Sequence, residues 1–284
     1  MENQQVTGDI DVRVALAQDS ETAPEVLYKL ASDPSSQVRA VVAARPDAPA
    51  EALRPLARDY DRDVREAVAR NPSASQGNLL RLVADADRRV RWAVAANPAC
   101  DVAVREVMAK AHDKELRGLL AESQALEPDL AAVLINDVSP EVRERLASHT
   151  NDPEVIATML KDRTVRVRKG LAINTRTSPE QRHALARDSS PDVRAVLVRA
   201  LELAEDDLKA LVTDRSAEVR RSLASSSITP EHIRKQLEND ADPAVAQEAR
   251  GYQPSTAATR TTPAAPRPAH RRAVGKRFPG KAAR

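Results

Sequence analysis

Cysteine occurs once in these 284 residues, at Cys100. A single thiol excludes an internal disulfide and any metal site built from several cysteines. Aromatic residues make up 2% of the chain, too few for the core of most globular domains. Alanine, valine and leucine fill the apolar positions instead, which suits thin layers of closely stacked helices. No apolar run approaches the roughly 18 residues of a membrane helix. The stretch from Met1 to Asp11 is polar and acidic and lacks a signal-peptide core, so a cytoplasmic protein is the expectation. The histidines His112, His149, His183, His232 and His270 are scattered without a ligand spacing. There is no G-x-S-x-G, no phosphate loop and no dinucleotide fingerprint. The expectation is therefore no catalytic site, no metal, no cofactor and no membrane span. Asp59-Tyr60-Asp61 and Asp85-Ala86-Asp87 begin like calcium loops but lack the glycine and closing glutamate, and read better as helix caps.

What the chain does have is a clock. Arginine returns at one fixed interval, at Arg13, Arg39, Arg65, Arg91, Arg117, Arg143, Arg168, Arg194 and Arg220. Only the step from Arg143 to Arg168 is shorter, by a single position. A second column holds Leu30, Leu56, Leu82, Met108, Leu134, Leu160, Leu185, Leu211 and Leu237. A third is aspartate from Asp33 to Asp240, with Ala111 as its one gap. Three chemically distinct columns in phase identify a tandem repeat in which each unit touches mainly its neighbours.

One unit, Asp33 to Arg58, shows how the repeat is built. Val38, Val41 and Val42 have the spacing of a short amphipathic helix. Its start carries Asp or Ser before proline, as in Asp33-Pro34, Ser139-Pro140, Ser190-Pro191 and Asp242-Pro243, the pattern of a polar N-cap with proline in the first turn. Arg45-Pro46, Asn71-Pro72 and Asn97-Pro98 then stop it, since proline disfavours helical geometry in the residue before it. A second helix starts at sites such as Ser178-Pro179-Glu180 and carries the leucine column. Neither helix is long enough to be stable alone, so stacking must bury their apolar faces. The count is about nine and a half two-helix repeats over residues 7–250, after an N-terminal extension, 1–6, and before a tail, 251–284. Repeat five is the least regular: Leu116 replaces valine, Ala111 replaces aspartate, and Glu122-Ser123 stands where Asn-Pro is expected. The sixth repeat lacks one residue.

The motif D-x4-VR-x2-(V/L)A-x-(N/R)-P, followed by P-E-x-L and L-(A/V)-x-D, resembles the leucine-rich repeat variant family and is similar to HEAT-type repeats. The resemblance covers Thr7 to Arg250. It implies an all-α, right-handed superhelical solenoid in which α and 3₁₀-like helices alternate. The founding type of that family holds a cysteine-bound iron–sulfur cluster ahead of its repeats. This chain has no such cysteines, so no iron–sulfur cluster carries over.

The arginine column has two readings: a row of cations for phosphates, or a structural ladder with aspartate. Joining each arginine to the aspartate that opens the next repeat gives Arg13–Asp33, Arg39–Asp59, Arg65–Asp85, Arg117–Asp137, Arg143–Asp162, Arg168–Asp188, Arg194–Asp214 and Arg220–Asp240. Only Arg91, facing Ala111, is left over. Pairing within a repeat strands Arg13, Arg117 and Asp240, so the ladder across repeats is favoured. Beside Arg91 is Trp92, the sole tryptophan, in a column otherwise holding Val14, Ala40, Glu66, Gly118, Glu144, Lys169, Ala195 and Arg221. Such variety suggests an exposed site. Trp92 with Arg88, Arg89 and Arg91 is thus a candidate binding anchor, with Gly118 leaving room beside the indole. The alternative is that Trp92 packs over the irregular fifth repeat.

Beyond Gly251 the chain holds eight Lys and Arg and no acid. With a net charge of +2 for the whole, Met1 to Arg250 carries −6. The tail is rich in Pro, Ala and Thr, a composition that cannot bury a core and is expected to be disordered. Arg271, Arg272, Lys276 and Arg277 are its candidate anion-binding residues. The leading expectation is a non-enzymatic scaffold for a protein partner. The alternatives are nucleic-acid binding through the tail and, as a minor one, an enzyme like the helical-repeat DNA glycosylases.

Overall fold

In the computed structural model, residues 9–123 and 126–252 are described, and among them every regular element is an α-helix. In chain order these are α1 (Ile10–Gln18), α2 (Pro24–Leu30), α3 (Ser36–Ala44), α4 (Ala50–Leu56), α5 (Arg62–Arg70) and α6 (Gln76–Leu82). Then come α7 (Arg88–Ala95), α8 (Val102–Ala109), α9 (Lys114–Ala121), α10 (Pro128–Ile135), α11 (Pro140–His149) and α12 (Pro153–Met159). The stack closes with α13 (Val165–Ile173), α14 (Pro179–Ala186), α15 (Pro191–Ala200), α16 (Glu205–Val212), α17 (Ala217–Ser225), α18 (Glu231–Leu237) and α19 (Pro243–Gly251). Odd-numbered helices pack on the next odd-numbered helix from α1 to α19, and the even-numbered helices form a second, more loosely packed layer. This is a two-layer solenoid. The second helix of each repeat is α-helical, so the α/3₁₀ alternation implied by the family resemblance is not found among the described residues. The N-terminal extension lies outside the described residues, and α19 takes in Gly251, the first residue assigned to the tail.

Helix boundaries follow the local chemistry, with departures. Ser178 caps α14 in a reciprocal capping box with Gln181, and Asp242 caps α19. Asp33, Ser139 and Ser190 do not cap through their side chains: α3 starts after Ser35, and the Ser139 hydroxyl turns to Glu141. There the ladder aspartate, two residues ahead of the N-cap, accepts the N-cap backbone N–H in its place. Asp33, Asp137 and Asp188 bond the amides of Ser35, Ser139 and Ser190 at 2.8 Å each, an Asx-turn that sets the chain's entry into the helix.

The leucine column is the core of the even-numbered layer, with one shift. Leu160 is only partly buried, and Met159 takes the core position at 1% exposure. Met159 stands to Asp162 as Leu134 stands to Asp137, with two residues between. The missing residue of the sixth repeat therefore falls ahead of Met159 rather than after Leu160.

Close stacking at this shortened repeat depends on Gly170. A β-carbon there would lie 2.8 Å from the Glu144 carbonyl oxygen and 3.0 Å from Ser148 Oγ. Alanine in an open helix is favoured over glycine by about 1 kcal/mol, but here α13 would have to lift from α11. Gly170→Ala is therefore expected to lose about 1–3 kcal/mol of stability through overpacking, measured by urea unfolding. A gain in stability would show that the two helices simply separate.

Candidate functional site

The arginine column does not offer free cations. In each of the eight pairs named above, Nε donates to aspartate Oδ2 at 2.6–2.8 Å and Nη2 donates to Oδ1 at 2.8–3.3 Å. In the seven pairs from Arg39 onward the third nitrogen, Nη1, donates to the carbonyl of the aspartate or alanine that opens the arginine's own repeat, as in Arg39 to Asp33 and Arg168 to Asp162. A planar fork with fixed donors meets carboxylate and carbonyl together, which lysine could not do.

Arg91 is paired, contrary to the expectation that it faces Ala111 alone. Asp113, two residues further on, receives both Nε at 3.0 Å and Nη2 at 2.6 Å on the same oxygen, Oδ2. Its other oxygen is occupied by the amides of Glu115 and Leu116, because Asp113 is also the N-cap of α9. One carboxylate thus serves as both rung and cap, and the fork becomes one-sided.

The ladder has a defined response to acid. Burial pushes the carboxyls of Asp85, Asp137, Asp162 and Asp214 up, but the arginine fork and backbone N–H groups outweigh it, leaving each below the ordinary range. Asp240 is held low chiefly by Arg220. A depressed carboxyl contributes stability that is complete above its unfolded pKa of about 3.9 and is lost as pH falls through its lower folded value. Stability from these rungs is therefore expected to be level down to about pH 5 and to fall steeply below about pH 4, followed by circular dichroism during acid titration. A decline already under way near pH 6 would show that groups other than these rungs govern it.

A second ladder is not legible as such in the sequence. Asn71, Asn97 and Asn174 stand just past α5, α7 and α13, as helix stops should. Each is also buried and donates its amide to two carbonyls of the preceding repeat. Asn71 Nδ2 reaches Ala43 and Arg45 at 2.7 Å each, Asn97 reaches Ala69 and Asn71 at 2.7 and 2.9 Å, and Asn174 reaches Ala147 and Thr150 at 2.8 and 2.9 Å. Arg45 does the same for Ala17 and Asp19. These bonds satisfy carbonyls at and beyond helix C-termini that have no partner within their own helix.

Beside the rungs, notches open between repeats. The notch at Arg65–Asp85 is about 390 Å³, and the one at Arg143–Asp162 about 360 Å³. At Arg91–Asp113 the corresponding notch is about 850 Å³. The sequence explains the difference. Ala111 stands where Asp85 closes the smaller notch, and Val107 stands where Arg81 lines it. Two large side chains are exchanged for small ones, and Asp113 reaches Arg91 from beyond the gap.

Trp92 lines this cleft and is half-buried, not exposed as its variable column suggested. The Arg88 guanidinium lies over its ring, 5.3 Å from the centroid. The indole Nε1 is shut off from solvent and has no acceptor. Arg88 and Arg91 also line the cleft. Arg89 does not join them: it turns to the preceding repeat and pairs with Glu66 at 2.8 Å and Asp63 at 3.5 Å. Nor is there open room over Gly118, where an added β-carbon would meet Arg145 at 2.7 Å. Lys110, which sequence reasoning passed over, brings a further cation to the wall. Comparing equivalent positions of neighbouring repeats would have shown it, since Ala84 is its counterpart.

Cys100 is buried, its thiol 3.1 Å from the Val94 carbonyl, and burial pushes its pKa up. It is an unactivated thiol. Among the described residues no cluster of His, Cys, Asp or Glu is placed to hold a metal ion, and no helix is long and apolar enough to cross a membrane. Arg271, Arg272, Lys276 and Arg277 lie outside the described residues.

Comparison with known proteins agrees with the motif. The family model for the leucine-rich repeat variant matches residues 37–61 and 62–87, two consecutive repeats. A solved structure described as "a leucine-rich repeat variant with a novel repetitive protein structural motif" is 25% identical, over 80% of this chain and 81% of that one, with a TM-score of 0.47. No curated protein matches the chain. The chain is thus similar to the leucine-rich repeat variant family.

Proposed function

We propose that this stack of repeats, similar to leucine-rich repeat variants, is a non-enzymatic scaffold that holds a protein partner. The observation that carries the reading is the closure of the charged columns on themselves. Nine arginines and nine aspartates neutralise one another across the joints, so the regular cations offer no track for a phosphate backbone. What remains for recognition is the set of positions that vary from repeat to repeat, displayed on a long surface whose core does not depend on them. The reading assigns no catalytic residue and needs no cofactor or metal.

The nucleic-acid reading rests on the eight basic residues of the tail. Affinity capture on the full chain, with and without nuclease, separates the two. A protein retained in fixed proportion after nuclease treatment is the expected result. Capture that disappears with nuclease would transfer the function to nucleic acid.

A further inference from the structure

The enlarged notch is chemically unlike its neighbours as well as larger. The smaller notches also carry exposed cations without a carboxylate partner among the described residues, Arg58 and Arg81 in one and Arg163 in the other, but their walls are more polar than apolar. Here the carboxylates of the wall are already engaged: Asp113 by Arg91 at 2.6 Å, and Glu115 by Arg145 at 2.7 Å. Arg88 and Lys110 are exposed and have no carboxylate partner among the described residues. Apart from His112, the rest of the wall is apolar, from Val83, Ala84, Trp92, Val107 and Ala111. The volume lies within the roughly 300–1,000 Å³ range of ligand pockets, and the charged groups left over are of one sign.

We infer that this cleft is the docking pocket for an acidic segment of a protein partner, one that sets a carboxylate between Arg88 and Lys110 and an apolar side chain against Trp92. The inference rests on the protein-scaffold reading and names the chemistry of the partner. Charge complementarity argues for the acidic group, since two unpaired cations above an apolar floor attract an anion more strongly once water is displaced. The indole argues for the apolar neighbour. Arg88 covers one face of the ring, and no hydrogen bond tethers it. It can re-orient toward an occupant without breaking a bond, and a carbonyl brought by that occupant would be the first acceptor its N–H finds. Ala111 is what admits the occupant. The eight other repeats in the ladder place aspartate there, which would both fill the space and supply the negative charge in advance.

A random-peptide phage library selected on the full chain tests this. Selected peptides are expected to pair Asp or Glu with a neighbouring apolar residue. Because Trp92 is the sole tryptophan, binding of a synthetic, tryptophan-free copy of the leading peptide can be read from intrinsic fluorescence. Arg88→Glu and Lys110→Glu should each weaken it at least about tenfold, or about 1.4 kcal/mol. Ala111→Asp should abolish it while leaving the melting temperature equal or higher, because that variant restores the residue the other repeats carry. Failure to select any peptide, peptides without acidic bias, or unchanged affinity in Ala111→Asp would overturn the inference. So would a single-stranded oligonucleotide that binds with the same Ala111→Asp sensitivity. If nuclease-resistant protein capture persists undiminished in Ala111→Asp, the scaffold reading stands and the pocket assignment falls. If capture is abolished by nuclease, it is the scaffold reading that fails.

Discussion

Replacing Arg143 by alanine is expected to cost about 3–5 kcal/mol of stability, the range for breaking a buried ion pair by removing one partner. Arg143 is 5% exposed. It donates to both oxygens of Asp162, to Thr164 Oγ1 and to the Asp137 carbonyl. Removing it leaves the Asp162 carboxylate with only local backbone and hydroxyl donors, and leaves the Asp137 carbonyl unpaired. Asp162 then tends to protonate, which shifts part of the loss toward higher pH. Arg91→Ala is the internal control. Its partner Asp113 is more open to solvent and keeps one oxygen employed in capping α9, so its loss should be clearly smaller. Urea unfolding of the two variants decides the matter. Equal and negligible losses would mean the ladder is decoration.

Asn71→Leu should be the most damaging single change on the opposite edge, by about 1–3 kcal/mol, the cost of one dry, unpaired carbonyl. Leucine is close in size, so little packing is lost. What is lost is the amide that bridges the Ala43 and Arg45 carbonyls, together with the oxygen that accepts the Ser73 N–H. The Ala43 carbonyl then loses its partner, at about 1–3 kcal/mol if it stays dry, while the Arg45 carbonyl keeps the Ala48 N–H at 3.1 Å. Asn97→Leu should behave alike, because its amide bridges Ala69 and Asn71. Hydrogen exchange in α3 and α5 should speed up before global unfolding changes. Unaltered exchange there would show that water replaces the amide.

The two ladders show what was legible in the sequence and what was not. The Arg–Asp pairing can be worked out on paper because the partners keep a nearly constant offset in every repeat and that offset leaves few remainders. Its one remainder, Arg91, was misjudged for a local reason. Asp113 lies outside the aspartate column and reads simply as a cap, and only the folded loop shows that one carboxylate can do both. Asn71 is visible as a helix stop, since the following proline makes that a backbone property. Its reach into the preceding repeat is hidden, because the acceptors are carbonyls and carry no residue signature. The same blindness applies to Trp92. A variable column reads as surface, yet this one runs along the seam between stacked helices, where Glu66, Gly118 and Ala195 are buried as well. The notch itself is half visible: Ala111 stands out as a gap in the aspartates, but Val107 and Lys110 acquire meaning only when the wall is assembled.

The ladder has a direction, because each arginine reaches forward to the next unit and never back. Excising Asp59 to Ala84, one complete unit, would bring Arg39 opposite Asp85, and every remaining hand would again find a hand. An excision out of phase strands a cation on one side of the scar and an anion on the other. Recombination between units is thus invisible to the bonding so long as it keeps phase. The length of such a molecule is then set by what it must span, not by what it needs to fold.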